Sequence, residues 1–433
     1  MVQSIHNQPY DSLNLVSQIG EGSTCRINKV ELKEICHKSS PSTTTSISEH
    51  SETSAELNSL QDKRSRYFAI KELDLSSVKE AHLNEFENEI KILRAIDHPR
   101  IVKIFQTFRL HEGRISAILM EMCQGGDLYS RPSYSERDAS LILHQILSAA
   151  AYLHDRNVVH RDLKFQNILF VDQHNLDVKI IDFGLAKKYQ RKNEWHYEKC
   201  GTLYTMSPEV VRGKYSGSST DLWSIGVIAF MLLSNQKPFW GSNMNEVKQQ
   251  ILTKELSFED DVWKSISDNA KGFVTSLLQR NPENRPTARE ALGHEFILKY
   301  QRPTLSSTLD LDLVTKIHTS MKCFAESSHF KKTVLLMIAS RYPSDEILHL
   351  VHIFTKLDKS GEGVIHFSDF KEFLSDFQYS DSDLKTMFGR IEINNTGHIL
   401  YTEFLASTLE IMGPIKEQLI LEAYDQIDVS SKG

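Results

Sequence analysis

The stretch His160-Arg-Asp-Leu-Lys-Phe-Gln-Asn167 decides the fold of this chain, because it belongs to an ordered series of short motifs. Asp182-Phe183-Gly184 follows fifteen residues after Asn167. The series then continues with Ser207-Pro208-Glu209, Asp221-Leu-Trp223 and an isolated Arg285. Each motif is weak evidence alone, whereas their order along one chain is specific.

Upstream, a stretch of mostly small residues runs from Gly20 to Ile27 and reads Gly-Glu-Gly-Ser-Thr-Cys-Arg-Ile. Small residues allow a hairpin to bring its backbone N–H groups close to phosphate oxygens. Phe68-Ala69-Ile70-Lys71 is typical of a strand, and Glu89 lies on the helix predicted after it. A lysine that binds nucleotide phosphates needs a carboxylate to orient it, and Glu89 is the candidate.

This series resembles the eukaryotic protein kinases over about residues 12–298. The resemblance implies an α+β, bilobal protein kinase fold with a β-rich small lobe and a helical large lobe. The periodicity agrees, since strand-like segments come first and helical segments dominate after Gly126. Lys164, followed by Gln166 and Asn167, matches the serine/threonine branch better than the tyrosine branch.

The resemblance also implies roles for single residues. Asp162 would accept the proton of the substrate hydroxyl, and Lys164 would lie near the transferred phosphoryl group. Asn167 and Asp182 would bind Mg²⁺. The implied nucleotide-binding set spans the glycine-rich stretch, the strand lysine with its partner, and the adenine pocket with its hinge: Ile19, Gly20, Glu21, Gly22, Ser23, Thr24, Cys25, Arg26, Ile27, Ala69, Lys71, Glu89, Met120, Glu121 and Cys123. Glu209 and Arg285 would form the family's buried ion pair.

Several positions depart from the family pattern. Cys25 replaces the third glycine, where a small residue still fits. Phe165-Gln166 replaces the usual Pro-Glu, whose glutamate helps some relatives bind a substrate arginine, so a strong basic preference is in doubt although Asp127 remains as a second acid. Glu198 stands where many relatives carry a phosphothreonine, and it is either a partner for Arg161 or an ordinary solvated acid.

Two later segments match a calcium-binding loop, which needs oxygen ligands at positions 1, 3, 5, 7, 9 and 12, glycine at 6 and an apolar residue at 8. The first loop (358–369) offers Asp358, Ser360, Glu362, the Val364 carbonyl and Asp369, and the short final Asp369 predicts a lowered affinity. The second loop (392–403) offers Glu392, Asn394, Thr396, His398 and Glu403. With so few carboxylates, metal binding and pairing without metal both stay open for it. A third loop begins at Asp428 and stops at Gly433.

A kinase domain followed directly by such loops resembles the calcium-dependent protein kinases of plants and protists. The implied division is a kinase domain (12–298) with a Ser/Thr-rich insertion (about 38–60), a junction (299–343), paired EF-hands (344–412) and the start of a truncated third EF-hand (413–433). In that family the junction is autoinhibitory and occupies the substrate groove until calcium draws it away. Its apolar anchors here would be Met321, Phe324 and residues 334–338, with Lys322, Lys331 and Lys332 meeting acidic surface.

The sequence therefore predicts a calcium-regulated serine/threonine protein kinase that uses ATP, Mg²⁺ and Ca²⁺ and acts on protein hydroxyls. Two alternatives stay open. One is a kinase with vestigial EF-hands that responds to a separate sensor, and the other is a calcium-dependent pseudokinase scaffold.

Composition bears on partners and location. The net charge of −7 gives no general attraction to nucleic acid, and the five scattered cysteines favour a reducing compartment over a disulfide framework. The start of the chain has neither a signal-peptide pattern nor a myristoylation motif, and the apolar run 225–233 is shorter than the ~20 residues of a membrane span. We therefore expect a cytoplasmic monomer without a membrane anchor, whose partners are its protein substrates and its own junction.

Overall fold

The computed structural model describes residues 13–21, 25–32, 67–73, 79–111, 114–190, 194–301, 311–342, 346–415, 419–421 and 423–424. Several predicted features lie outside these ranges: Gly22, Ser23 and Thr24 of the glycine-rich stretch, the insertion at about 38–60, junction residues 302–310 and the third loop from Asp428.

A five-stranded sheet opens the fold. Its strands are β1 (Leu13–Glu21), β2 (Cys25–Leu32), β3 (Tyr67–Leu73), β4 (Ile104–His111) and β5 (Arg114–Glu121). They lie in the order β1-β2-β3-β5-β4, and the pairs β1–β2, β2–β3 and β3–β5 are antiparallel. Aromatic and branched side chains, among them Val30, Phe68 and Ile70, form one apolar core on this sheet. Since neighbouring side chains on a strand point to opposite faces, Lys71 lies on the face opposite Ile70.

The sheet is the basis of one compact unit (1–79 and 105–122), and the described helices belong to a second (80–104 and 123–433). The first eight helices are α1 (Glu80–Leu93), α2 (Glu136–Asp155), α3 (Pro208–Arg212), α4 (Ser219–Ser234), α5 (Met244–Thr253), α6 (Asp268–Leu277), α7 (Ala288–Leu292) and α8 (Glu295–Gln301). A capping box of Ser135 and Asp138 starts α2. Helix α4 is buried along nearly its whole length, as expected for a helix that is apolar on all sides.

Short ladders connect these helices. They are β6 (Val158–Val159) with β9 (Lys187–Lys188), β7 (Ile168–Phe170) with β8 (Val178–Ile180), and β10 (Trp195–His196) with β11 (Tyr215–Ser216). The 3-10 turns are Phe165–Asn167, Leu203–Thr205, Asp261–Ser265, Pro282–Asn284 and Leu409–Met412. The β7–β8 ladder brings the 160–167 stretch close to Asp182.

The C-terminal region is helical apart from one two-residue ladder. Its helices are α9 (Leu311–Glu326), α10 (His329–Arg341), α11 (Leu348–Leu357), α12 (Phe367–Phe373), α13 (Asp381–Ile391) and α14 (Tyr401–Thr408). Strand β12 (Val364–Ile365) pairs with β13 (Ile399–Leu400), and Ile365 lies opposite Ile399. The apolar residues at position 8 of the two loops are thus paired, as the loop template predicts.

The junction helices α9 and α10 share one apolar core with the helices that flank the two loops. Met321 and Phe324, for which the resemblance implies a substrate groove as the docking site, are buried in this core instead. Lys331 pairs with Glu410 at 3.0 Å, and Lys332 Nζ donates to the carbonyl of Arg390 at the end of α13. In this structure the junction therefore packs on the paired loops and their helices.

A strand-rich segment followed by mostly helices confirms the predicted α+β class. Within the described ranges, no helix combines the length and the apolar character that crossing a membrane requires.

Candidate active site and calcium loops

Asp162 is the centre of a closed hydrogen-bond cluster. Lys164 Nζ donates to Oδ2 at 2.7 Å, and the backbone N–H and hydroxyl of Thr202 both donate to Oδ1 at 2.8 Å. Asn167 Nδ2 donates to Oδ2 at 3.2 Å and to the Asp162 carbonyl at 2.9 Å. Lys164 also donates to the Thr202 hydroxyl at 3.0 Å. The carboxylate is 5% exposed and is held in one orientation by donors on both of its oxygens.

Thr202 is a site residue that the sequence reasoning missed. It follows Gly201, whose φ is +97° and whose added Cβ would lie 2.5 Å from the Arg161 carbonyl. Only glycine fits this close approach without strain, so the chain can bring Thr202 against Asp162. The signal in the sequence was the Gly-Thr pair shortly before Ser207-Pro208-Glu209.

Asp221 fixes the backbone that leads into this cluster. Its carboxylate accepts the N–H groups of His160 and Arg161, both at 2.9 Å, and lies 2.9 Å from the His154 ring nitrogen. Arg161 has a left-handed backbone conformation, with φ of +68°, which costs energy for a non-glycine residue. Burial alone would raise the pKa of Asp221, but the bonds from His154 and the backbone lower it overall. A buried anion therefore holds the strained turn before Asp162.

Asn167 and Asp182 are held next to each other by the backbone. The N–H of Ile181 donates to the Asn167 carbonyl at 3.0 Å, and Asp182 follows with a left-handed φ of +62°. Amide and carboxylate oxygens suit Mg²⁺, which binds to one or two protein ligands together with nucleotide phosphates. In the described part of the chain no group of three or more His, Cys, Asp or Glu side chains converges on one point.

Arg161 and Glu198 form an ion pair, which is one of the two readings that the sequence left open for Glu198. Arg161 Nη1 donates to Glu198 at 3.0 Å and to the Tyr215 hydroxyl at 3.1 Å, while its Nε donates to the Leu185 carbonyl at 2.6 Å. The hydrogen bond from Arg161 lowers the pKa of Glu198, which is 61% exposed. Glu198 therefore ties the segment before Gly201 to the residue next to Asp162.

Glu209 and Arg285 form a buried bidentate pair, with N–O distances of 2.6 and 2.8 Å. The Arg285 guanidinium also donates to the carbonyls of Ser219 and Gln279. All of its bonds go to structural elements of the same unit, which agrees with a structural role.

The sheet unit carries the residues implied for the nucleotide. Lys71 lies between Ile27 of β2 and Ile118 of β5, and Gly20 lies opposite Ile27. Ala69 is paired with Met120, and the buried Glu121 is paired with Phe68. Glu89 belongs to the helical unit, where it is buried on α1.

A cavity of about 530 Å³ lies beside the Asp162 cluster, with Phe165 in its wall. The ring of Phe165 lies 4.9 Å from that of Tyr129, and Met231 and Ile266 also line the cavity. The Glu136 carboxylate at its edge already accepts the N–H and hydroxyl of Ser267, at 2.6 and 2.7 Å. The cavity wall is therefore mixed, with aromatic and apolar side chains beside polar ones such as Arg131 and Asn235.

The two terminal acids of the first loop differ in how their oxygens are satisfied. Asp358 accepts the N–H of Gly363 at 2.6 Å, the N–H of Glu362 at 3.1 Å and the Ser360 hydroxyl at 3.0 Å. Burial raises the pKa of Asp358 to about 6. Oδ2 of Asp369 is buried and has no hydrogen-bond partner. A buried carboxylate oxygen without a donor is costly, so this oxygen is available to a cation, although Asp358, Glu362 and Asp369 do not converge on one point in this structure.

In the second loop, backbone N–H groups of the loop itself already donate to the carboxylate at the final position. Glu403 is fully buried and accepts the N–H groups of Ile393, Asn394 and Leu400 at 2.8–3.0 Å, and also the Asn394 side-chain amide at 2.9 Å. Burial raises its pKa. Of the two possibilities left open for this loop, the geometry favours pairing without metal.

Comparison with known proteins gives one family match and several relatives. The protein kinase domain model matches residues 52–297. Calcium-dependent protein kinase 5 of Plasmodium falciparum (isolate 3D7) is 31% identical over 361 residues, which cover 81% of this chain and 62% of that protein. Calcium-dependent protein kinase 7 of Oryza sativa subsp. japonica is 32% identical over 359 residues, covering 81% of this chain and 65% of the relative. Calcium-dependent protein kinase 3 of Plasmodium yoelii yoelii is 32% identical over 370 residues, which cover 83% of this chain and 66% of that protein.

The chain thus spans a little less than two thirds of the length of these relatives. Their names confirm the resemblance that the motifs indicated.

Proposed function

Because the chain belongs to the protein kinase family, we propose that it transfers the γ-phosphoryl group of ATP to serine or threonine hydroxyls of proteins, under the control of calcium. The observation that carries the proposal is the cluster around Asp162, in which Lys164, Asn167 and Thr202 converge on one carboxylate. A scaffold without catalytic activity has no need of that convergence.

In this proposal Asp162 orients the substrate hydroxyl and accepts its proton during in-line transfer. Both carboxylate oxygens are held by donors, so the proton acceptor is already oriented before the substrate arrives. Lys164 offers its ammonium group to the phosphoryl oxygens. Mg²⁺ bound to Asn167 and Asp182 would neutralise charge that develops on the transferred group.

The nucleotide contacts are proposed for the sheet unit and the start of the helical unit. Lys71 would bind the phosphates, and the buried Glu89 would orient it. The backbone of Gly20 and its neighbours would cover the phosphates, and Glu121 to Cys123 would hydrogen-bond adenine through the backbone.

We propose that Glu198 orders the adjoining segment without phosphorylation, because it already binds Arg161. We also propose that the enzyme lacks a strong preference for arginine in its substrates. The exposed Gln166 replaces an acid, so the protein offers one carboxylate fewer to a substrate arginine.

Calcium control is assigned to the first loop, where Asp369 has an unpartnered oxygen. The second loop would act as its structural partner through the Ile365–Ile399 pair. Binding would change how the paired loops and the junction helices pack, and thereby the access of substrate. The described cysteines form no disulfide, which supports a reducing compartment such as the cytoplasm.

The test is phosphorylation of a panel of Ser/Thr peptides by the full chain, with calcium and with a chelator, using Asp162→Ala as the inactive control. We expect calcium-stimulated incorporation that Asp162→Ala abolishes. No incorporation in either condition would favour the pseudokinase scaffold, and equal incorporation in both would favour vestigial EF-hands.

A further inference from the structure

The first loop (358–369) lies directly against His98 and His144 of the kinase domain, which belong to the same helical unit as the loop. A Cβ added to Gly363 would overlap the ring of His98, and one added to Gly361 would lie 3.4 Å from Nε2 of His144. Neither glycine has a side chain, which allows the loop backbone to come this close to the two rings. Burial lowers the pKa of His144 to about 4, so its ring is neutral at pH 7 and carries no charge toward the loop.

Two polar contacts flank the loop and fix its position. The N–H and hydroxyl of Thr402 both donate to Asp97 at 2.8 Å. On the other side, Nε2 of His352 lies 3.0 Å from Asp177, which also accepts from Arg100 at 2.6 Å. The loop and its flanking residues therefore contact the kinase domain at several polar positions rather than at one.

Arg289 of α7 reaches into the loop itself. Its Nη1 forms an ion pair with Oε1 of Glu362, and its Nη2 forms another with Asp155 at 2.7 Å. The second oxygen of Glu362 lies 3.1 Å from Nε2 of His366. The Glu362 side chain is only 8% exposed, whereas that of Arg289 is 55% exposed. Both oxygens of the position-5 ligand are thus occupied by groups of the same chain.

We propose that Arg289 and calcium compete for the carboxylate of Glu362. A guanidinium bound to a nearly buried carboxylate and a divalent cation bound to the same oxygens would place positive charges next to each other in a poorly solvated site. Glu362 must therefore release Arg289 when it turns toward the other loop ligands. This inference rests on the proposed calcium binding by the first loop.

The competition makes docking and calcium binding antagonistic. By linkage, the factor by which docking weakens calcium binding equals the factor by which calcium weakens docking. Asp155 remains as a partner for Arg289 after release, so the docked arrangement gives way without leaving that cation unpaired. Calcium would then loosen the first loop from His98 and His144.

The test is calorimetric titration of calcium into the full chain, comparing wild type, Arg289→Gln and Arg289→Lys. Lys264→Gln is the matched control, because Lys264 is exposed and its loss changes the net charge equally. We expect Arg289→Gln to bind calcium about tenfold more tightly than wild type, within the range usual for coupled sites. Arg289→Lys should lie between the two, and Lys264→Gln should match wild type.

A second readout needs no metal-affinity comparison. Amide hydrogen exchange in peptides around His98 and His144 should accelerate when calcium is added to wild type, because the loop leaves that surface. Equal calcium affinity of Arg289→Gln and Lys264→Gln, with unchanged exchange, would overturn the competition while leaving calcium binding intact. If none of the four chains binds calcium, the proposed calcium control itself is wrong, and the competition with it.

Discussion

Asp162 and Glu362 are both nearly buried carboxylates, yet their oxygens are satisfied in opposite ways. Donors within about forty residues of Asp162 close its hydrogen bonds, whereas Glu362 shares one oxygen with an arginine about seventy residues earlier in the chain. The first arrangement has one stable state, as a preorganised catalytic group requires. The second has an obvious alternative partner, as a switch requires. The difference teaches that an alternative partner within reach, rather than burial, separates an adjustable site from a rigid one. Distance along the chain does not decide it, because the structural Glu209–Arg285 pair spans a similar separation.

The largest effect should come from removing the charge of Asp221, whose carboxylate holds the backbone that leads to Asp162. Asp221→Asn would place an amide NH₂ against N–H donors in a site that is 1% exposed. We expect the free energy of unfolding to fall by about 3 kcal/mol, the cost of breaking a buried charged network. Denaturant unfolding measures it, with the exposed Asp261→Asn as the control. A loss of under about 0.5 kcal/mol would mean that the turn at Arg161 does not depend on this anion.

Removing one hydrogen bond to Asp162 itself should have a smaller effect. Thr202→Val removes the hydroxyl that donates to Asp162 and accepts from Lys164. We expect kcat to fall about tenfold with KM for ATP little changed, the value of roughly one hydrogen bond. Thr202→Ser keeps the hydroxyl and should retain most of the activity. Equal loss in both variants would instead point to packing around the threonine methyl group.

A longer carboxylate at the last position of the first loop should strengthen calcium binding there. Asp369→Glu should reach a bound cation more easily and strengthen calcium binding on the order of fivefold. Glu392→Gln in the second loop should change neither the affinity nor the stoichiometry, since that loop is filled by its own donors. Calorimetry distinguishes the two, and loss of a second calcium site in Glu392→Gln would show that both loops bind.

The smallest effect concerns the exposed pair at the edge of the closed network. Arg161 lowers the pKa of Glu198 below its ordinary value of 4.5. The pair therefore stabilises the fold above that value, and the contribution is lost as the pH falls through the lowered pKa. Solvent screening keeps it below about 1 kcal/mol. Thermal unfolding should separate wild type from Glu198→Gln at pH 7, and the gap should shrink below pH 4.5.

Local patterns predicted the parts of the molecule that depend on spacing. The α+β order and the pairing of Ile365 with Ile399 follow from motifs read along the chain, and the bond from Arg161 to Glu198 is one of the two readings that those motifs left open. Thr202 was missed because none of the motifs read along the chain includes the Gly201-Thr202 pair; its separation from Asp162 is close to that between Arg161 and Glu198. No periodicity carries that information.

The sequence could not predict which surface the junction packs against, for a different reason. Met321 and Phe324 form an apolar stripe, and apolar burial is non-directional, so a stripe does not specify which surface covers it. Here the helices around the loops cover it. The pair of Arg289 with Glu362 was equally hidden, because an ion pair between distant segments leaves no trace in either segment.

The bond from Thr402 to Asp97 has a consequence for any shortened form of the protein. An acceptor from the kinase part satisfies a first-turn N–H of α14, one of the groups that a helix cannot satisfy by itself. A fragment that begins after the kinase domain would lack this acceptor, and α14 would fray at its first turn. Calcium affinities measured on such a fragment would therefore describe a looser helix pair than the one present in the intact polypeptide.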